Sequence, residues 1–153
     1  MGLIEREHCA QVARAAWTVE RMSAKILIVE DEMLVALELE AILEELGHQS
    51  VGIAPDLATA AVFYENVPDL ALVDLNLRDG LTGPEIGKRL SVQGVTVLFI
   101  TANPRELGDG IAGTVGVLTK PTDQETVRGA VEYALGLRQG VAKPVPQSLK
   151  LFG

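Results

Sequence analysis

Five residues able to do chemistry stand just beyond four short apolar runs. Glu30 and Asp31 follow Ile26–Val29, Asp74 follows Leu70–Val73, Thr101 follows Val95–Ile100, and Lys120 comes two residues after Val115–Leu118. If the runs are neighbouring strands of one sheet, three carboxylates, a hydroxyl and an ammonium converge at its carboxyl edge. That edge is where open α/β sheets bind ligands. Carboxylates held together repel, by on the order of 4 kcal/mol for a pair ~4 Å apart at an effective dielectric of about 20. Such a cluster must keep protons or bind a cation. Hard oxygen ligands favour Mg²⁺, which retains several waters and usually shares its site with a phosphate. The ion and Lys120 would together neutralise a phosphoryl group arriving at Asp74, with Thr101 hydrogen-bonding one of its oxygens. The set suits nucleophilic attack by a carboxylate, giving an acyl phosphate.

Two nearby acids compete poorly with Asp74. Asp69 begins the same strand, just ahead of the run Leu70–Val73, and five residues of strand put it ~16 Å away at the wrong end. Asp79 sits in an Asp-Gly turn, where a turn role suffices. Taken singly, each member of the set has an ordinary explanation: a solvated loop acid, a surface lysine, a strand-end hydroxyl serving the backbone. Their joint placement at successive strand ends is what points to a site.

The elements around them alternate. The four apolar runs lack polar alternation and are rich in Val, Ile and Leu, the habit of parallel strands covered on both faces. Ser50–Ala54 is a weaker fifth, following the helix-stopping Gly47. Val35, Leu39, Ile42 and Leu46 form a helical stripe. Asp56 can cap a helix carrying Leu57, Ala60, Ala61 and Tyr64. Thr82 with Glu85, and Thr122 with Glu125, read as capping boxes ahead of Ile86 and Leu90 and of Val127, Val131, Ala134 and Leu135. The order implies an α/β fold with right-handed crossovers. One connection departs: 103–116 contains Pro104 and glycines at 108, 110, 113 and 116. Each glycine costs roughly 0.8–1 kcal/mol against alanine in a helix, so this stretch reads as mostly loop.

Composition narrows the classes. Thirteen basic residues against 21 acidic give a net charge of −8, which disfavours nucleic acid. No run reaches the ~18–20 apolar residues of a membrane span. The mixed charges of the first residues show no signal peptide, and one cysteine, Cys9, makes no internal disulfide. The expectation is a cytoplasmic protein without direct nucleic-acid or membrane partners.

These motifs resemble the receiver domain of two-component response regulators. KILIVEDE matches the family's first strand and acidic pair, and LALVDLNLRDG its third strand and phosphoacceptor. VLFITAN matches the fourth strand with its Thr/Ser, and GVLTKP the fifth with its Lys-Pro. The resemblance covers roughly residues 24–138. It implies a doubly wound, five-stranded parallel sheet of flavodoxin-like type, with a short or irregular fourth helix between the fourth and fifth strands. It further implies that Asp74 takes phosphate from the phosphohistidine of a sensor histidine kinase or phosphotransfer protein. Asp31, Asp74 and the backbone carbonyl of Asn76 would ligate Mg²⁺, with Glu30 acting directly or through water. Thr101 and Lys120 would bind phosphoryl oxygens. Asn76 and Asn103 occupy positions that tune dephosphorylation in such domains.

The sequence departs from the family at Val117, where a Tyr or Phe is usual. Thr101-Ala102-Asn103-Pro104 resembles a wording found in some receivers that signal by binding another protein. The expected organisation is an N-terminal extension over 1–22, helical in pattern through Ile4, Val12, Ala16 and Val19. A receiver follows over 23–139, then an extended tail over 140–153. No output domain is legible after Arg138, so output is expected through a downstream protein or phosphate relay, with a homodimer left open. Two other classes compete. A pseudo-receiver would keep the fold without the chemistry, which the intact set argues against. An aspartyl-nucleophile phosphatase would need a second acid two residues past Asp74, where Asn76 stands.

Overall fold

The computed structural model describes residues 23–153. The expected helix on Ile4, Val12, Ala16 and Val19 therefore lies outside the described residues. In chain order the elements are β1 (Lys25–Val29), α1 (Met33–Glu45), β2 (Gln49–Ala54), α2 (Leu57–Ala61), β3 (Leu70–Val73), α3 (Gly83–Val92), β4 (Thr96–Thr101), β5 (Gly116–Thr119), α4 (Gln124–Gln139) and β6 (Lys150–Leu151). Two 3₁₀ turns, Val62–Tyr64 and Pro104–Leu107, follow α2 and β4.

The strands lie in the order β2-β1-β3-β4-β5-β6, parallel except for β6, which runs antiparallel to β5. The first five strands thus have the expected doubly wound arrangement, with the order reversing between β1 and β3. The sheet itself has six strands rather than five. The sixth comes from the segment expected to be only an extended tail. Its two residues carry no periodicity and become a strand only because the edge of β5 offers unpaired backbone groups.

Alternation along the strands feeds two cores. Ile26, Ile28, Leu70, Leu72, Leu98, Ile100 and Leu118 pack with α1 and α4, while Leu27, Val29, Ala71, Val73, Val97, Phe99 and Val117 pack with α2 and α3. The apolar stripe of α1 centres on buried Ala36, Leu39 and Leu43, with Val35, Ile42 and Leu46 at its margins. The short α2 ends at Ala61, and Tyr64, expected on that helix, lies in the 3₁₀ turn that follows it.

The caps differ from expectation at two of three places. Asp56 does cap α2, accepting from the Thr59 amide at 2.9 Å. Thr82 stands at the N-cap position of α3, but its hydroxyl makes no capping bond and donates instead to Asp79 Oδ1 at 2.6 Å. At α4 the cap is Asp123, whose carboxylate accepts from the Thr126 amide at 2.7 Å. A carboxylate one residue later than Thr122 offers a charged acceptor to an orphan amide of the first turn. Between β4 and β5 the glycine-rich stretch forms only the 3₁₀ turn and a loop, as its composition predicts.

Candidate functional site

The fold brings Glu30, Asp31, Asp74, Thr101 and Lys120 to the carboxyl edge of the sheet, at and beside the point where strand order reverses. Glu30 follows β1, and its backbone remains tied to the sheet through an amide bond to Ala54 O at 3.0 Å. The Asp74 amide is likewise held by Val29 O at 2.9 Å, which fixes the two acid-bearing strand ends side by side. Oxygens of Glu30, Asp31 and Asp74 lie within 4.8 Å of one another. Glu30 is only 2% exposed, Asp74 is half-buried and Asp31 is open to solvent.

Lys120 closes the cluster from the far side. Its Nζ donates to Asp74 Oδ2 at 2.8 Å and to Glu30 Oε1. The Asp74 Oδ1 accepts from the Leu75 amide at 2.7 Å, and Glu30 Oε2 accepts from the amides of Asp31 and Glu32 at 3.0 and 3.3 Å. Burial pushes the Glu30 carboxyl above its ordinary value, against the opposing pull of Lys120. Burial also pulls the Lys120 ammonium down. Its hydrogen bonds to Asp74 and Glu30 more than reverse this, so its pKa stands raised.

Thr101 is fully buried at the end of β4, and its Oγ1 accepts from the Asn103 amide at 3.1 Å. Asn76 is exposed, with its side-chain amide donating to Glu106 Oε2 at 3.0 Å. Asp69 sits at the opposite edge of the sheet, where it accepts from the Lys25 amide at 2.8 Å. Asp79 serves the turn, accepting from the Leu57 amide at 3.0 Å as well as from Thr82.

Three features escaped the sequence reading. Gly83 lets α3 approach the site: a Cβ there would stand 2.0 Å from Asp74 O and 2.5 Å from Leu75 Cα. The Thr-Gly-Pro wording at a helix start was the available signal. Glu106 joins the site's rim through Asn76, and nothing local marks it. Arg78 pairs with Asp56, and the hydrogen bonds from Thr59 and Arg78 hold that carboxyl down to about 2.

The donor set fits a hard divalent cation. Three carboxylates against one ammonium leave two formal negative charges, and all the offered ligand atoms are oxygen.

Comparison with known proteins places this geometry. The family model of the response regulator receiver domain matches residues 26–132. The phyllosphere-induced regulator PhyR of Methylorubrum extorquens is 34% identical over 126 residues, which are 80% of this chain and 47% of that protein. Sporulation initiation phosphotransferase F of Bacillus subtilis is 31% identical, over 76% of this chain and 98% of its own length. The crystal structure of the anti-anti-sigma factor PhyR from Bartonella quintana superposes with a TM-score of 0.65 at 27% identity, covering 88% of this chain and 57% of that one. The chain thus spans about half the length of the PhyR proteins it matches and nearly all of the phosphotransferase. With its strand order, its acid cluster and this family match in agreement, the chain belongs to the response regulator receiver domains.

Proposed function

We propose that this receiver works by phosphorylation, with Asp74 as acceptor. The reading rests chiefly on one observation: a half-buried carboxylate at the sheet's switch point, gripped by Lys120 and flanked by two further acids. An Asp74 oxygen attacks the phosphorus of a phosphohistidine on a sensor kinase or phosphotransfer protein. The P–N bond breaks, its electron pair returns to the imidazole, and that ring takes up a proton. Lys120 remains paired with the transferred group, and the Thr101 hydroxyl turns to donate to one of its oxygens. Hydrolysis later returns Asp74 as a carboxylate, making the domain a switch or relay rather than an enzyme acting on outside substrates. Glu30, Asp31, Asp74 and the Asn76 carbonyl would hold Mg²⁺, which when bound offsets the charge of the incoming phosphoryl group.

Output runs through protein contact or phosphate relay. Similarity to an anti-anti-sigma factor and to a phosphotransferase supports both routes, the first by contact with a regulatory protein and the second by onward transfer. Acetyl phosphate with Mg²⁺ should add one phosphoryl group, seen by intact mass, and Asp74→Asn should abolish it. Equal labelling of Asp74→Asn would overturn the assignment. Absence of labelling in the wild type, by acetyl phosphate and phosphoramidate alike, would favour a phosphorylation-independent interaction module.

A further inference from the structure

Residues 140–153 leave α4 at Gly140 and return to the sheet. The Val141 amide donates to Gly136 O at 2.8 Å and the Leu149 amide to Pro146 O at 3.1 Å; β6 then pairs with β5. Glycines of the receiver body make room along this route. A Cβ on Gly129 would stand 3.1 Å from Pro146, one on Gly116 2.2 Å from Lys150 O, and one on Gly110 2.5 Å from the Phe152 ring. Leu149 is buried in the core on the α1 and α4 side, whereas Phe152 packs into the core on the other face. The segment is therefore a strap, anchored in both layers and fitted to the domain beneath it.

Phe152 stands one side chain from the site. Phe99 and Thr101 are two residues apart in β4 and so share a face. The Phe99 ring lies 6.4 Å from that of Phe152, centroid to centroid, tilted by 47°. On its other side Phe99 is closed in by α3, where a Cβ on Gly87 would come within 2.5 Å of the ring. Its ladder neighbour in β5 is Val117, and the strap brings an aromatic ring into this layer beside that smaller side chain.

We propose that this strap is the receiver's own reporter: its hold on β5 follows the position of Thr101, relayed by Phe99 to Phe152. The inference rests on the phosphoacceptor reading above. Thr101 Oγ1 now accepts from the Asn103 amide; to serve a phosphoryl oxygen on Asp74 it must turn toward that residue. The shift opens space on the Phe99 face of β4. Close-packed interiors do not keep such voids, so Phe99 moves inward and Phe152 follows, drawing β6 against β5. Two residue pairs and the Phe152 amide bond to Val115 O hold β6 to its neighbour. A small change in packing is thus a large share of the strap's attachment. Coupling of this kind is reciprocal, so a tighter strap in turn favours the loaded site.

The test is hydrogen exchange at the Phe152 amide, with and without beryllofluoride and Mg²⁺, with loading followed separately by fluorine NMR. Loading should slow exchange by about threefold or more, because so short a strand opens locally. Phe152→Leu keeps an apolar anchor but removes the ring, and the response to loading should vanish. A loaded wild-type protein with unchanged or faster exchange overturns the strap, as does a Leu variant that responds like the wild type. Failure of beryllofluoride to load the site would instead defeat the phosphoacceptor reading, and the strap with it.

Discussion

The ammonium of Lys120 lies 2.8 Å from Oδ2 of Asp74 while it also donates to Glu30, so one cation serves Asp74 and a nearly buried acid together. Leaving Glu30 charged without that partner is costly. Lys120→Met should therefore cost about 2–4 kcal/mol at pH 8, since the remaining carboxylate is buried and uncompensated. The loss should shrink as pH falls and Glu30 takes up a proton. Lys120, raised above 10.5, contributes stability that is complete below that value and is lost as pH rises through its folded pKa. Glu30, raised above 4.5, gains from protonation, so its burial becomes costlier as pH climbs through its own folded pKa. Urea unfolding of both proteins at pH 8 and pH 5 checks this. An equal loss at both pH values would show that packing, not charge, is what the lysine supplies.

Mg²⁺ should stabilise the domain by relieving repulsion among Glu30, Asp31 and Asp74. A ligand at about 100 times its dissociation constant adds about 2.7 kcal/mol. Asp31→Ala should remove most of this gain, and because Asp31 is exposed the variant should fold normally without metal. Thermal melts with Mg²⁺ and with EDTA decide the matter: the same metal response in both proteins would move the ion elsewhere.

Gly83 and Gly47 separate close approach from backbone conformation. A Cβ at Gly83 would meet the Asp74 carbonyl at 2.0 Å, whereas Gly47 has open space but a φ of +87°. Gly83→Ala should cost about 3 kcal/mol, the upper range for overpacking. Gly47→Ala should cost about 1–2 kcal/mol through its left-handed backbone. Only Gly83→Ala should also slow labelling by acetyl phosphate, because the obstruction displaces the backbone that follows Asp74.

The parts of this fold that the sequence made legible are those with dense local signals. Buried parallel strands need apolar side chains on both faces, so β1, β3, β4 and β5 announce themselves, and the acids, hydroxyl and lysine beyond them could be placed at once. The start of β4 shifted by one residue because a backbone group there has another task. The Val95 amide bonds Leu90 O at the end of α3, and the ladder of β4 begins at Thr96. What stayed hidden depends on tertiary partners. Spacing alone could not show that the Thr82 hydroxyl turns to Asp79, or that Asp123 rather than Thr122 caps α4. β6 exists through an edge it did not create, and Glu106 reaches the site through a hydrogen bond spanning thirty residues of chain.

His48 ties the start of β1 to the turn after α1, and its protonation should weaken that tie. Its Nδ1 accepts from the Ala24 amide at 3.0 Å, which only a ring nitrogen free of its proton can do. Burial lowers its pKa below 6.5, opposed by the charge of Glu132 on α4. A histidine with a depressed folded pKa binds protons more readily when the chain is unfolded. Its contribution is therefore present above pH 6.5 and is lost as pH falls through the folded value. His48→Gln, which can offer a neutral acceptor to the same amide, should flatten this part of the stability profile between pH 7 and pH 5 while changing stability at pH 7.5 only slightly. Imidazole titration by NMR gives the folded pKa directly, and a value at or above 6.5 would refute the assignment. The site itself should load equally well in both proteins at pH 7.5, because His48 stands at the amino end of β1, a full strand away from Glu30 and Asp31.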